Sequence, residues 1–454
     1  MVQDSKRIWG WWFFDWASQP YATLLLTFIF PIYYTEVARA HFIASGETAG
    51  QAGASAQALW GYGLSIAGVI IAALAPVLGS VADASGRRLR WVWTFSVLYL
   101  IGAAGIWLLL PDGTNLYLTV ALFGLGIIGL EFTTIFTNAL LPGLAPRDDI
   151  GRVSGSGFAF GYVGGLVSLA IVLLFLAESA TTGRTLIGIA PILGLDPDLR
   201  EGTRAVGPFT AIWYVVFMIP FALWVREPRT DPRPPRSRSA LSELWALIRG
   251  LRRRKSLLAW LISSMFSRDA LNALYSFGGV YAASVLGWPV ILAGIFGITS
   301  AIAAAIVSWL GGKADRQWGP MPVILTCSLM LSGVVIIVVG MSRESFLGIA
   351  LAPGSRIPDA IFFACGILIG GAGGALQAAS RTLTVMHTSP ERATEVFGLY
   401  ALSGKATAFL APFLIAVATD LTGSQHVGVS PLIVMFLLSL ILLIWVQTEG
   451  DPEQ

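Results

Sequence analysis

Apolar runs of about twenty residues, parted by short polar breaks, recur along the whole 454-residue chain. A helix of that length crosses a hydrocarbon layer of roughly 30 Å, and in lipid only helices and closed barrels satisfy their own backbone. The chain is therefore expected to be an all-α polytopic membrane protein. The runs fall at 8–36, 58–78, 91–110, 116–141, 154–176, 209–225, 257–285, 290–310, 322–341, 360–386, 396–418 and 431–446, which are spans 1 to 12 in that order. Charged residues make up 12% of the chain, against about 25% in soluble proteins.

Several functions are disfavoured by the same reading. Cys327 and Cys365 lie inside apolar runs, which argues against a disulfide framework or a thiolate metal site. His41, His387 and His426 are far apart at loops or run ends, so no metal, cofactor or catalytic centre is expected, and the chain is not read as an enzyme. A net charge of +3 gives no reason to expect nucleic acid. The first run follows Lys6 and Arg7 but lacks a small-residue cleavage site and carries Asp15, so it reads as a retained helix rather than a signal peptide. Trp9, Trp11, Trp12 and Trp16 near its start suit an interfacial aromatic belt.

Basic residues set the orientation. With the N-terminus inside, inner segments hold 20 Lys and Arg and outer loops hold 6, and moving the register by one span would reverse this bias. Both termini are thus expected in the cytoplasm of a multi-pass protein of the inner membrane. The long inner segment 227–256, with REPRTDPRPPRSRS before an RRRK cluster, reads as a basic linker between a six-helix bundle at 1–226 and another at 257–454. Its arginines suit anionic lipid headgroups. GSVADASGRR after span 2 and GGKADRQWGP after span 8 form an internal repeat, with Asp83 and Asp315 about half the chain apart.

The first of these segments, with Gly79, Asp83, Gly86, Arg87 and Arg88, resembles the loop signature of the major facilitator superfamily. The second, with Asp315 and Arg316, is a degenerate copy in which glycine follows the aspartate by four residues instead of three. FFDWASQPY, FTNALLP, SGFAFGYVGG, SRDALNAL, QAASRT and VFGLYALSGK narrow the resemblance to the vacuole-effluxer-like branch, whose fungal members are associated with amino-acid efflux. The resemblance implies two six-helix bundles, a pathway lined by spans 1, 4, 7 and 10, and a gating role for the aspartate and arginines of the repeated loop.

Six ionisable residues fall inside the spans: Asp15, Glu131, Arg268, Asp269, Arg381 and Lys405. Charge in hydrocarbon costs several kcal/mol, so such groups are candidates for a substrate or ion pathway. Five of the six lie on the spans that the resemblance makes pathway-lining. Arg268 beside Asp269 suggests an ion pair, which leaves Glu131 as the expected proton carrier. Gly157, Gly161 and Gly165 in span 5, and Gly366, Gly370 and Gly374 in span 10, repeat every four residues and offer smooth faces for close helix packing. The expected function is secondary transport of a small organic solute, an amino acid or an amphiphile, by alternating access with protons as a compatible co-substrate and a monomer as the working unit. The alternatives are a receptor or scaffold on a transporter fold and a membrane-embedded enzyme, for which no nucleophile constellation is present.

Overall fold

The computed structural model describes residues 2–227, 240–288 and 290–451. Among these residues the chain is helical apart from short turns, loops and one hairpin, in which β1 (Ser345–Phe346) pairs antiparallel with β2 (Ile349–Ala350). Eleven helical stretches are long and apolar enough to cross a membrane: Ser5–Ala44, Ala49–Ser85, Arg88–Leu108, Leu116–Gly143, Arg147–Leu176, Glu201–Trp224, Leu292–Trp318, Pro320–Val339, Ile357–Met386, Ala393–Thr422 and His426–Trp445. Span 7 is the helix Lys255–Ser284, whose 30 residues reach about 45 Å. Its SSMFSRD stretch makes it more polar than the others. Among the described residues twelve spans thus stand in the expected order, and the side on which such an even number of crossings leaves both chain ends is the terminal side.

The chain forms two compact units. Unit 1 comprises Met1–Leu74, Ala84–Thr137 and Phe160–Pro234, and unit 2 comprises Ala75–Asp83, Asn138–Ala159 and Pro235–Gln454. Unit 2 therefore holds spans 7 to 12 together with two pieces of the first half of the sequence.

Within unit 1, span 1 is interrupted. An α-helix, Val2–Pro20, runs into a wider π-helical turn over Tyr21–Phe28, and a second α-helix, Phe30–Ala44, continues beyond it. Pro20 has no amide for the carbonyl of Trp16, four residues earlier. That carbonyl instead receives the indole N–H of Trp213 at 3.1 Å, and the two indole rings stack. Trp11, expected in an interfacial belt, is fully buried and donates to the Thr137 carbonyl at 2.9 Å. Its N–H has a partner inside the fold, so it does not need the water at an interface.

The 227–256 segment is not uniformly extended. Arg229, Arg233, Arg236 and Arg238 lie outside the described residues, but Ala240–Leu251 is a helix. Leu247 and Leu251 are buried in the core of unit 2, while Trp245 and Arg249 are exposed, with the guanidinium 5.9 Å from the ring centroid.

Span 10 packs against span 8 through its glycines. A β-carbon at Gly366 would strike the Phe296 ring, at Gly370 the Ser300 carbonyl, and at Gly374 the Ser308 hydroxyl. The partners repeat at four and eight residues, so the two backbones approach along a shared stripe. In span 5, Gly161 lies against the Asp15 backbone and Gly165 against Thr23 and Gln19. Overpacking such a contact costs about 1–3 kcal/mol or more. Gly370→Val is expected to lower the melting temperature of the purified protein clearly, whereas Gly333→Val, at a glycine with open space around it, should change it little. Fluorescence-detected thermal unfolding compares the two.

Candidate functional site

The repeated signature is helical in the structure, not a loop. Asp83 sits inside the helix Ala49–Ser85 and Asp315 inside the helix Val290–Trp318. Gly86 and Gly319 each follow the last residue of their helix with positive φ, 62° and 81°, where a side chain would be strained. The extra residue in the second copy lengthens its helix by one position before that glycine. The offset between the two copies is therefore one of helix length, and both aspartates lie one turn before the end.

Each aspartate meets the start of another helix. The carboxylate of Asp83 accepts from the backbone amides of Thr394 at 3.3 Å and Glu395 at 2.8 Å, in the first turn of the helix Ala393–Ala406. That helix has no side-chain cap of its own, so Asp83 supplies one from 311 residues away. Gly79, one turn earlier, lets the backbones meet, because a β-carbon there would strike the Thr394 carbonyl. Asp315 is buried against Gly151 at the start of the helix Ile150–Ile171, where a β-carbon would run into its carboxyl group. Arg316 adds an ion pair to Asp149 at 2.8 Å. Arg87 is exposed, and Arg88 opens the next helix, whose first amides are capped by Glu227 at 2.9 and 3.1 Å.

Three of the six intramembrane charges, Arg268, Asp269 and Lys405, come together in unit 2, where spans 7 and 11 pack. Asp15 and Glu131 belong to unit 1, where each is half-buried and engaged by neighbouring groups. Arg381 is 4% exposed and its donors are spent on the first half of the sequence. Nε binds the Ser154 hydroxyl at 2.9 Å, one terminal nitrogen binds the Ser154 carbonyl at 2.7 Å, the other reaches Asn138 at 3.2 Å, and the Phe158 ring lies 4.3 Å from its centre. It clamps the segment Asn138–Ala159 to span 10. Sequence pattern singled out FTNALLP and SGFAFGYVGG without indicating that Asn138 and Phe158 within them, and Ser154 just before the second, share one arginine.

The expected Arg268–Asp269 ion pair is not formed. Adjacent residues on a helix point about 100° apart. Arg268 donates to the Tyr400 carbonyl at 2.8 Å and covers the Tyr400 ring at 4.2 Å, in space that Gly404 leaves open. Asp269 faces Thr407 and Lys405 instead, and among the described residues neither of its carboxylate oxygens receives a hydrogen bond of good geometry.

A further cluster sits just outside the spans on the terminal side. Asp451 caps the first turn of Lys255–Ser284 through Ser256 and Leu257 amides at 2.8 and 3.0 Å. His387 Nδ1 donates to the Leu383 carbonyl, so its Nε2 accepts from the Ser256 hydroxyl, each at 2.8 Å. The Arg254 guanidinium donates to the His387 carbonyl at 2.8 Å and lies 3.9 Å from Glu395. These contacts link the basic end of the 227–256 segment to the helix that Asp83 caps.

A family model described as Vacuole effluxer Atg22 like matches residues 3–453. The chain is 25% identical over 460 residues to the uncharacterized MFS-type transporter YxiO of Bacillus subtilis (strain 168), covering 100% of this chain and 97% of that protein. It is 22% identical over 321 residues to Autophagy-related protein 22-1 of Neosartorya fischeri, covering 66% of this chain and 48% of that protein. The chain thus spans about half the length of that fungal relative. Among solved structures, the proton:xylose symporter XylE matches with TM-score 0.68 at 11% identity, over 99% of this chain and 97% of that one. The E. coli fucose:proton symporter FucP matches with TM-score 0.66 at 14% identity, over 98% and 99%. At these identities the likeness to solved structures is one of fold.

Burial pulls the His387 pKa below its ordinary 6.5 and is the largest influence on it. The unfolded chain then binds a proton that the folded chain resists, so stability falls as pH drops through the ordinary histidine value. The melting temperature of the detergent-solubilised protein should fall between pH 7.5 and 5.5, values chosen to bracket that range on the histidine scale of about 6.5. His387→Gln should start lower and flatten that slope. An unchanged slope would show that His387 is not the titrating group.

Proposed function

Because the chain belongs to the vacuole effluxer Atg22-like family and is an MFS-type transporter, we propose that it moves a small organic solute across the cytoplasmic membrane by alternating access, with both termini in the cytoplasm. The meeting of Arg268, Asp269 and Lys405 inside unit 2 carries this reading. Charges held within the span of a membrane helix are costly, and where they persist they commonly mark a substrate or ion pathway. Their mixed signs suit a solute with a charged group, an amino acid or an amphiphile. Asp15 and Glu131 are proposed as pathway charges of unit 1, and Arg381 as part of the clamp on the terminal side of unit 2. Protons are proposed as the co-substrate, the buried carboxylate of Asp269 being a group that can take one up. The working unit is taken as one chain, with lipid headgroups meeting the exposed Trp245 and Arg249.

In this reading the Asp83 cap and the Asp315 contact hold the terminal-side ends together and release as the transporter turns. Gly79, Gly86 and Gly319 shape those helix ends, and Arg316 reinforces them through Asp149.

Two measurements test the proposal. In proteoliposomes preloaded with mixtures of amino acids or amphiphiles, the parent should show trans-stimulated counterflow of at least one solute. Asp83→Asn should bind that solute normally and exchange it several-fold more slowly. Binding without counterflow in the parent would favour a receptor on a transporter fold, and equal exchange rates would remove Asp83 from the gate. A cysteine at Ser237 should be labelled only from the cytoplasm and one at Thr114 only from outside; the reverse pattern overturns the orientation.

A further inference from the structure

Span 11 is broken beside Asp269. The helix Ala393–Ala406 stops, Thr407 takes φ −120° and ψ 9°, and a new helix, Leu410–Thr422, begins three residues later. Pro412, in the first turn of the second helix, explains the position: it offers no amide to residue 408 and its ring crowds that carbonyl. Breaks of this kind leave the last carbonyls of the first half-helix without their amides, and the negative end of its dipole attracts positive charge. Lys405 occupies that last turn.

Asp269 lies against this break from span 7. The residue is 3% exposed and faces, across the break, Thr407, whose hydroxyl donates to the Ser403 carbonyl at 3.4 Å. Among the described residues neither carboxylate oxygen of Asp269 receives a hydrogen bond of good geometry. A buried carboxylate left this way is costly, and folds retain such groups where something else occupies them for part of a cycle. Arg268 is not the missing partner, because its guanidinium is committed to the Tyr400 carbonyl and ring. Lys405 and Arg268 nonetheless surround the carboxylate with positive charge.

We propose that Asp269, at the break in span 11, is the residue that takes up and releases a coupled proton. This rests on the transport reading above and replaces Glu131 in that role. The chemistry at the site favours a proton over a metal cation. A metal ion needs several oxygen ligands, and here it would meet two positive side chains with one carboxylate between them. A proton needs only one oxygen, forming a single O–H bond. Once Asp269 is neutral, Lys405 loses the attraction of its carboxylate and turns to an anionic group of the solute. When the proton leaves, the attraction between Asp269 and Lys405 returns and the solute anion is displaced. Occupancy by proton and by solute anion is thus linked through one lysine.

The test needs no knowledge of the solute. The purified full-length protein in lipid nanodiscs is titrated with acid and followed by infrared difference spectroscopy at the C=O stretch of protonated carboxylic acids. The parent should show a component that Asp269→Asn loses, that Asp269→Glu retains at a shifted frequency, and that Glu131→Gln leaves in place. Sodium added at fixed pH should not alter it. Persistence of every component in Asp269→Asn, loss of the component in Glu131→Gln, or its displacement by sodium would each overturn the assignment. Asp269→Glu keeps the test valid if Asp269→Asn does not fold. Counterflow measured on the parent separates the two levels: counterflow with no Asp269 component sinks only the proton site, and no counterflow for any solute sinks the transport reading.

Discussion

Helix starts on the terminal side of this protein are satisfied by carboxylates from elsewhere in the chain, and the architecture depends on that exchange. A helix presents four amides that its own turns cannot use. Asp83 receives those of Thr394 and Glu395, Glu227 those of Arg88 and Leu89, and Asp451 those of Ser256 and Leu257. None of the three helices supplies a side-chain cap of its own. Each cap therefore fixes where one helix stands relative to a distant segment. A charged acceptor on a helix amide contributes more than a neutral one, because the dipole adds to the hydrogen bond.

The Asp83 cap and the packing of Asp315 also tie the halves of the sequence together inside unit 2. Asp83 reaches span 11 from the end of span 2, and Asp315 reaches the start of span 5 from the end of span 8. The two contacts are related by the same shift of six spans, so the repeat seen in sequence is a repeat of interaction. Arg381 reinforces the second contact by holding Asn138 and Ser154 with three donors. Contacts made of a few directional bonds at helix ends can be broken and remade as units. Contacts through glycine stripes, as between spans 8 and 10, hold neighbouring helices close along their length.

Spans, order and repeat were legible because hydrophobic length and basic asymmetry are properties of composition along the chain, which no tertiary contact can override in lipid. Partnerships were less so. Arg268 and Asp269 are neighbours in sequence, yet helical geometry sends the arginine to Tyr400 and leaves the aspartate facing Thr407. Nothing in the sequence announces the partners of Arg381, 227 and 243 residues away. The helix Ala240–Leu251 was hidden by the proline and arginine content of its flank, although Leu247 and Leu251 sit one turn apart and could have signalled it. Pro20 and Pro412 were visible, and each marks a break near a functional candidate, but a proline alone does not say whether a helix bends, widens or stops.

The central claim is that the Asp83 carboxylate holds the first amides of the helix Ala393–Ala406. Hydrogen exchange followed by mass spectrometry on peptides covering Thr394 and Glu395 tests it directly. Loss of a charge-assisted hydrogen bond of about 1.5–3 kcal/mol corresponds to roughly tenfold or more in local opening. In Asp83→Asn these amides should exchange about tenfold faster than in the parent, with the peptides of spans 9 and 12 unchanged. Equal exchange at Thr394 and Glu395 in the two proteins would show that the cap does not hold this helix end, and would contradict the account.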